Sequence, residues 1–222
     1  MTKKTWTIIG VGDFIHEIVE IIQHESTEIT YCVLAGNKDE HRKKDLPQSI
    51  QLITFDNLSQ LQPTDYYCFG VINLQKEPLL EKLTPILTVA AGTTDNFSKI
   101  FPNIIHPKAI ISPSTTLGYG NFLGAGSILG SFATVGNFNF FNRGSTVGHD
   151  TQIGNFNHLA PAATVCGLVT IGNNTTIGAN ATVIDEIHIG DNSMVGAGAA
   201  VVEHLQESGT YVGVPAKRLI KS

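Results

Sequence analysis

The sequence predicts an α/β domain over its first hundred residues and a parallel β-helix over the rest. Three observations carry this. From Ile105 an apolar residue recurs at every sixth position, without a gap, as far as Val201: Ile105, Ile111, Leu117, Leu123, Leu129, Val135, Phe141, Val147, Ile153, Leu159, Val165, Ile171, Ile177, Val183, Ile189, Val195 and Val201. The residue that follows is glycine at ten of these seventeen positions, among them Gly118, Gly124, Gly148, Gly172 and Gly190. Before residue 100, apolar runs of strand length alternate with amphipathic helical ones. The change of composition near residue 100 places a domain boundary there.

In the first part, "TWTIIGVGDFIHEIVEII" reads as a strand, a glycine turn and an amphipathic helix. "EITYCVLAG" and "DYYCFGVIN" read as further strands, and "EPLLEKL" as a helix with Pro78 near its start. Alternation of strand and helix predicts a small Rossmann-like domain on a parallel sheet, with a ligand at the switch point beyond the strand ends. The glycine signature is incomplete. Gly10 and Gly12 are present, but Ile15 stands at the third position, and no acid ends the second strand at Leu34-Ala35-Gly36. A dinucleotide, and with it hydride transfer, is therefore not expected.

In the second part, six is neither the helix period nor the strand period. A six-residue repeat instead supplies one short strand and one corner of a prism. The large aliphatic fills the interior, and the small fifth residue (Ala109, Thr115, Ser127, Ala133, Ser145, Ala163, Ala181, Ser193) leaves it room. The glycine is expected to let the backbone turn the corner. Three hexads close an 18-residue coil, and successive coils stack about 4.8 Å apart.

An 18-residue period stacks Phe122, Phe140 and His158 in one outward column and Phe138 and Phe156 in another. A ladder of outward phenylalanines predicts a patch that needs cover, either from the N-terminal domain or the C-terminal tail, or from a subunit interface, most simply in a cyclic homo-oligomer. His149 and His158 are nine residues apart, half a coil. A six-residue side spans up to about 20 Å. If both serve one site, they are expected to come from neighbouring subunits.

Composition excludes several classes. Charge is sparse at 15% with a net of −5, and no basic patch suits nucleic acid. No apolar run approaches the roughly 20 residues that span a bilayer, and the start lacks the pattern of a signal peptide. The expectation is a cytoplasmic protein. Cys32, Cys68 and Cys166 are too few and too far apart for a disulfide framework or a zinc site, and read as free thiols.

"NIIHPKAIISPSTTLG", "STVGHDTQIGNFNHLAPAATVCG" and "GTYVGVPAKRLI" together resemble the hexapeptide-repeat sugar acetyltransferases, in the branch that acts on sialic acid and bacillosamine precursors. The resemblance implies a left-handed β-helix, a homotrimer, and acetyl-CoA as co-substrate. It implies domains at 1–102, 103–205 and a tail at 206–222. His149 matches the general base of the family's "x-x-H-[ED]-x-x-I-G" segment, and Asp150 the acid that raises its basicity. Acetyl transfer needs a neutral imidazole to take a proton from the attacking amine or hydroxyl, and N–H donors for the oxyanion. Positions matching acetyl-CoA contacts are Asn142, His158, Gly167, Ala179 and Ala197, with Lys217 and Arg218 placed for its phosphates. His106 matches a family hallmark and reads as a structural junction. The family's nucleotide-sugar turn corresponds to "GVGDFIH", where Asp13 replaces a glycine; the expected acceptor contacts are Gly12, Asp13, Phe14, Gly70 and Asn73. No metal is expected: the zinc enzymes of this class need two histidines five apart, whereas His149, His158, His188 and His204 are 9, 30 and 16 apart. The first expectation is N-acetylation of a nucleotide-linked amino sugar for surface glycan synthesis. The alternatives are O-acetylation of a sialic-acid-type sugar and a non-catalytic β-helix scaffold.

Overall fold

The computed structural model describes residues 4–12, 14–24, 28–34, 46–71 and 76–220. The chain divides into two compact units, Met1–Ile104 and Ile105–Ser222.

In the first unit, β1 (Thr5–Ile9) is followed by α1 (Ile15–His24) and β2 (Glu28–Leu34), then β3 (Gln51–Thr54), β4 (Tyr66–Phe69) and α2 (Lys76–Ala91). The strands form a parallel sheet of order β3-β2-β1-β4. The order reverses between β1 and β4, so a switch point lies at their carboxyl ends. Helix α1 buries Ile15, Ile18, Val19 and Ile22, a stripe at helical spacing. Strand β3 escaped the sequence reading because it is a four-residue edge, paired with β2 alone. Helix α2 outruns the predicted segment: its buried stripe Leu79, Leu83 and Leu87 carries on past Pro85.

The stripe begins with Lys76, itself buried. Burial pulls its ammonium down to about 7, against the opposing pull of Cys68, and burial pushes the Cys68 thiol up. Cys32, Cys68 and Cys166 are all free thiols.

The second unit is a three-sided prism. Each coil is 18 residues long, so Thr134 pairs with Gln152, Phe140 with His158 and Thr146 with Thr164. Face one carries the strands ending at Leu117, Val135, Ile153, Ile171 and Ile189; face two those ending at Leu123, Phe141, Leu159, Ile177 and Val195; face three those ending at Leu129, Val147, Val165, Val183 and Val201. From Leu123 to Val201 every predicted inward residue is buried in one continuous core, while Ile105, Ile111 and Leu117 on the first coil are partly buried. Beyond Val201 the stacking offset drops from 18 to 16. Leu205 bridges to Ile189, and Tyr211 pairs with Val195. The segment Gly209–Val212 thus extends face two, and Lys217–Arg218 folds back antiparallel upon it.

The corners correct the reading of the glycines. The backbone turns at the fourth hexad position, where every residue from Gly120 to Gly198 has positive φ, ten of them not glycine (Phe132, Phe138, Asp150, Phe156, Ala162, Leu168, Asn174, Asn180, Glu186 and Asn192). Glycine at the second position answers instead to close approach between coils. A Cβ on Gly148 would stand 2.5 Å from the carbonyl carbon of Cys166, and one on Gly154 2.7 Å from the oxygen of Gly172.

Asparagines hold two of the columns. Asn139 takes the Asn157 amide on its Oδ1 (2.8 Å) and gives its own Nδ2 to Asn121 Oδ1 (3.0 Å) and Gly154 O (2.9 Å), all fully buried on the inward fifth-position column. Such satisfied buried amides lock the register of successive coils.

Candidate active site

His149 and Asp150 occupy the third and fourth hexad positions where face three passes into face one. Asp150 is the corner residue, with φ of 55°, a conformation that aspartate tolerates better than most side chains. The turn is anchored from both sides: Asp150 N donates to Ser131 O (2.9 Å), and Leu168 N donates to His149 O (2.9 Å). His149 Nδ1 and Asp150 Oδ2 are 2.8 Å apart, and both side chains remain open to solvent. With Nδ1–H donated to the carboxylate, Nε2 is left as the acceptor. The imidazole leans over the next coil. A Cβ on Gly167 would stand 2.7 Å from Nε2 and 2.8 Å from Cε1. Gly167 has no positive φ to explain it; its missing side chain is the room that the histidine uses.

The remaining predicted residues fall on other parts of the chain. Asn142 sits where face two passes into face three. It is fully buried, its Oδ1 accepts from Arg143 N (2.8 Å), and its Nδ2 has no hydrogen-bond partner among the described residues. Ala179 and Ala197 occupy the third position on that same edge, one coil apart; Ala179 O accepts from Gly198 N (2.8 Å). His158 lies on face two between Phe140 and Thr176, with its ring edge-on to Phe140 at 5.6 Å. His158 on face two therefore stands apart from His149 at the corner of faces three and one, and the Asn142–Ala179–Ala197 edge is the other edge of face three.

Gly167 has a partner one coil on. Its N–H is already donated to Asp185 Oδ1 (2.8 Å), a bond that the sequence reading missed and that the 18-residue offset between the two positions could have suggested. Lys217 and Arg218, expected to be open to phosphate, are paired within the chain to Glu203 (3.2 Å) and Glu207, on the exposed last strand. His106 Nδ1 accepts from Lys108 N (3.0 Å), which fits a junction residue.

Of the two covers expected for the phenylalanine ladder, the chain itself supplies one. Phe122, Phe138 and Phe140 are buried within the single chain, with Phe122 and Phe140 stacked at 4.3 Å and Phe138 and Phe156 at 5.2 Å. The exposed apolar side chains gather elsewhere. Ile110 and Ile128 point out from face three, Ile184 and Val202 follow it, and Phe132 and Leu168 flank Asp150 one coil away on either side. Phe132 and Leu168 thus give the His149–Asp150 corner an apolar border.

In the first unit, Gly12 and Gly70 belong to two turns pressed together at the switch point. Gly12 N donates to Gly70 O (2.7 Å), and Gly70 N to Ile9 O (2.8 Å). A Cβ on Gly12 would meet Gly70 O at 2.7 Å. Phe14 is half-buried at the start of α1. Asp13 and Asn73 lie outside the described residues. Among the described residues no three of His, Cys, Asp and Glu converge as metal ligands, and no helix is long and apolar enough to cross a membrane.

Residues 168–202 match the family described as bacterial transferase hexapeptide (six repeats). No curated protein sequence matches the chain. Among solved structures, the chain is similar to perosamine N-acetyltransferase from Caulobacter crescentus, solved with CoA and GDP-perosamine: 27% identity, 98% of this chain against 97% of that one, TM-score 0.78. The acetyltransferase domain of PglB from Neisseria gonorrhoeae FA1090, in complex with acetyl coenzyme A, shares the fold at 24% identity, with 98% and 100% covered and a TM-score of 0.78. WeeI from Acinetobacter baumannii AYE does so at 22%, with 97% and 99% covered and a TM-score of 0.77.

Proposed function

We propose that this chain, a hexapeptide-repeat protein of the sugar acetyltransferase kind, transfers the acetyl group of acetyl-CoA to the amino group of a nucleotide-linked sugar in surface glycan synthesis. The observation that carries the reading is the His149–Asp150 pair, joined at 2.8 Å with Nε2 held over Gly167. Nε2 takes a proton from the amine as its nitrogen attacks the thioester carbonyl carbon. The tetrahedral intermediate then expels the CoA thiolate as the C–S bond breaks, and the imidazolium returns the proton to sulfur. Asp150 holds the tautomer and favours the imidazolium.

The second edge suits the donor. Asn142 Nδ2 is a buried N–H donor without a partner among the described residues. The main-chain amides of Ala179 and Ala197, about 4.8 Å apart on successive coils, donate to no other group among the described residues. Such donors fit the amide carbonyls of a pantetheine arm. Lys217 and Arg218 reach a phosphate only by exchanging their glutamate partners, at small cost for exposed pairs. His149 and this edge lie on the two separate edges of face three, which supports a site assembled between copies, and the apolar border beside His149 supports a homotrimer. The first unit, Rossmann-like in its strand order, takes the nucleotide of the acceptor through Gly12, Asp13, Phe14, Gly70 and Asn73. The protein works in the cytoplasm.

Likeness to an N-acetyltransferase solved with a GDP-linked amino sugar favours the amine over the hydroxyl acceptor. The test is thiol release from acetyl-CoA against UDP-, GDP- and dTDP-linked amino sugars and free sialic acid, for wild type and His149→Ala. Release with one amino sugar, lost in the variant, is the expected result. Release with sialic acid alone moves the acceptor to a hydroxyl, and activity that survives His149→Ala removes the base.

A further inference from the structure

We infer that Asp185 is a positioning residue for this reaction, acting on His149 through the peptide group of Gly167. The inference rests on the reading of His149 as the base. It comes from a capping pattern on one edge of the prism and its occurrence beside His149 on another. Where face one passes into face two, each third-position amide is capped by the side-chain oxygen of the third-position residue one coil on. Asn137 is capped by Asn155 (2.8 Å), Asn155 by Asn173 (2.8 Å), and Asn173 by Asp191 (2.6 Å).

Where face three passes into face one, the third positions are Ser131, His149, Gly167 and Asp185. Gly167 follows the pattern, since its N–H donates to Asp185 Oδ1 at 2.8 Å. His149 departs from it, because Gly167 offers no side chain to cap its amide. The space that a capping side chain would fill holds the imidazole itself, with Nε2 2.7 Å from the site of a Cβ. The ring thus rests on a peptide unit tethered from the next coil: the Gly167 N–H by the Asp185 carboxylate, and the Gly167 carbonyl by the Glu186 N–H (3.1 Å). The bond to Asp185 is charge-assisted and the stronger kind. The support cannot tilt without loosening these bonds, so Asp185 sets where Nε2 stands.

The test compares Asp185→Ala and Asp185→Asn with wild type in the intact protein, using acetyl-CoA and the amino sugar that responds. Misplacing a base by a fraction of an ångström costs on the order of tenfold. Asp185→Ala is expected to lower kcat by about that factor, with KM for acetyl-CoA and the unfolding midpoint nearly unmoved. Asp185→Asn keeps an oxygen that accepts the Gly167 N–H and is expected to recover most of the loss. Unchanged kcat in Asp185→Ala, or an Asn variant no better than Ala, overturns the inference. So does a kcat that rises in Asp185→Ala, which would make the Gly167 N–H an oxyanion donor that Asp185 withholds. If wild type transfers no acetyl group, the functional reading fails by itself. Crystal structures of wild type and Asp185→Ala then decide the positional claim: an imidazole displaced from Gly167 supports it, and an unmoved ring overturns it.

Discussion

Gly167→Ala should lower activity sharply while leaving the fold intact. The added Cβ would lie 2.7 Å from His149 Nε2, 2.8 Å from Cε1 and 3.1 Å from Cδ2, and these three imidazole atoms are its nearest neighbours. Ordinary contact begins at 3.4 Å, so Nε2 must retreat by about 0.7 Å, a step that misplaces the reacting nitrogen. The ring is tied at Nδ1 to Asp150 at 2.8 Å. A retreat of that size either breaks this bond or swings Nε2 off its line. At roughly 10²-fold per ångström of misplacement, kcat should fall by about 10- to 100-fold. The backbone at 167 has no positive φ, so alanine is conformationally acceptable there and reduces the entropy of the unfolded chain. The unfolding midpoint should hold or rise slightly. Gly148→Ala is the contrast: its Cβ would meet the Cys166 carbonyl carbon and Gly167 nitrogen, both at 2.5 Å. Backbone cannot swing aside, so that variant should lose stability. The assay is steady-state thiol release beside calorimetric unfolding for both variants. A Gly167→Ala enzyme within twofold of wild type, or one whose loss merely tracks a fall in midpoint, would refute the reasoning.

Three further outcomes are expected. His149→Ala should lower kcat by about 10²- to 10⁴-fold while acetyl-CoA still binds in titration calorimetry; a loss of binding instead would make the residue a donor contact. Asn139→Ala should cost about 2–4 kcal/mol in denaturant unfolding, because it strands the buried Asn157 amide and Gly154 carbonyl together; a cost under about 1 kcal/mol would show that the column does not hold the coils. Lys76 sits at about 7 when folded against an ordinary 10.5, so from pH 7 upward the unfolded chain binds more protons and stability should rise. Cys68, raised in the fold, offsets that rise once pH passes its ordinary 9.0, and the trend reverses only above the ordinary 10.5 of Lys76. Melting scans from pH 6 to 9 should climb above pH 7 in wild type and stay flat in Lys76→Met; a flat wild type would show that Lys76 keeps its proton.

The prism was legible because one face of each short strand must be filled on every coil. That need repeats an aliphatic every six residues, and it holds from Leu123 to Val201 without exception. His149 and Asp150 were legible through resemblance. Their 2.8 Å contact was not, since it depends on the left-handed corner at Asp150. The edge strand Gln51–Thr54 and the two-residue shortening that admits Leu205 and Tyr211 were missed because neither breaks or makes a period.

The periodic part of this protein was therefore determined by its sequence alone: the six-residue repeat, the 18-residue coil and the inward row. These follow from local chain geometry and a demand for burial that every coil repeats. Only the tertiary structure decided what happens between coils. It gave the glycines to close approach rather than to turning, closed over the phenylalanines, spent the Gly167 amide on Asp185, and seated the His149 ring in the space that Gly167 leaves empty. Each of these joins residues 18 apart or more, and the contact exists only once the coils have stacked.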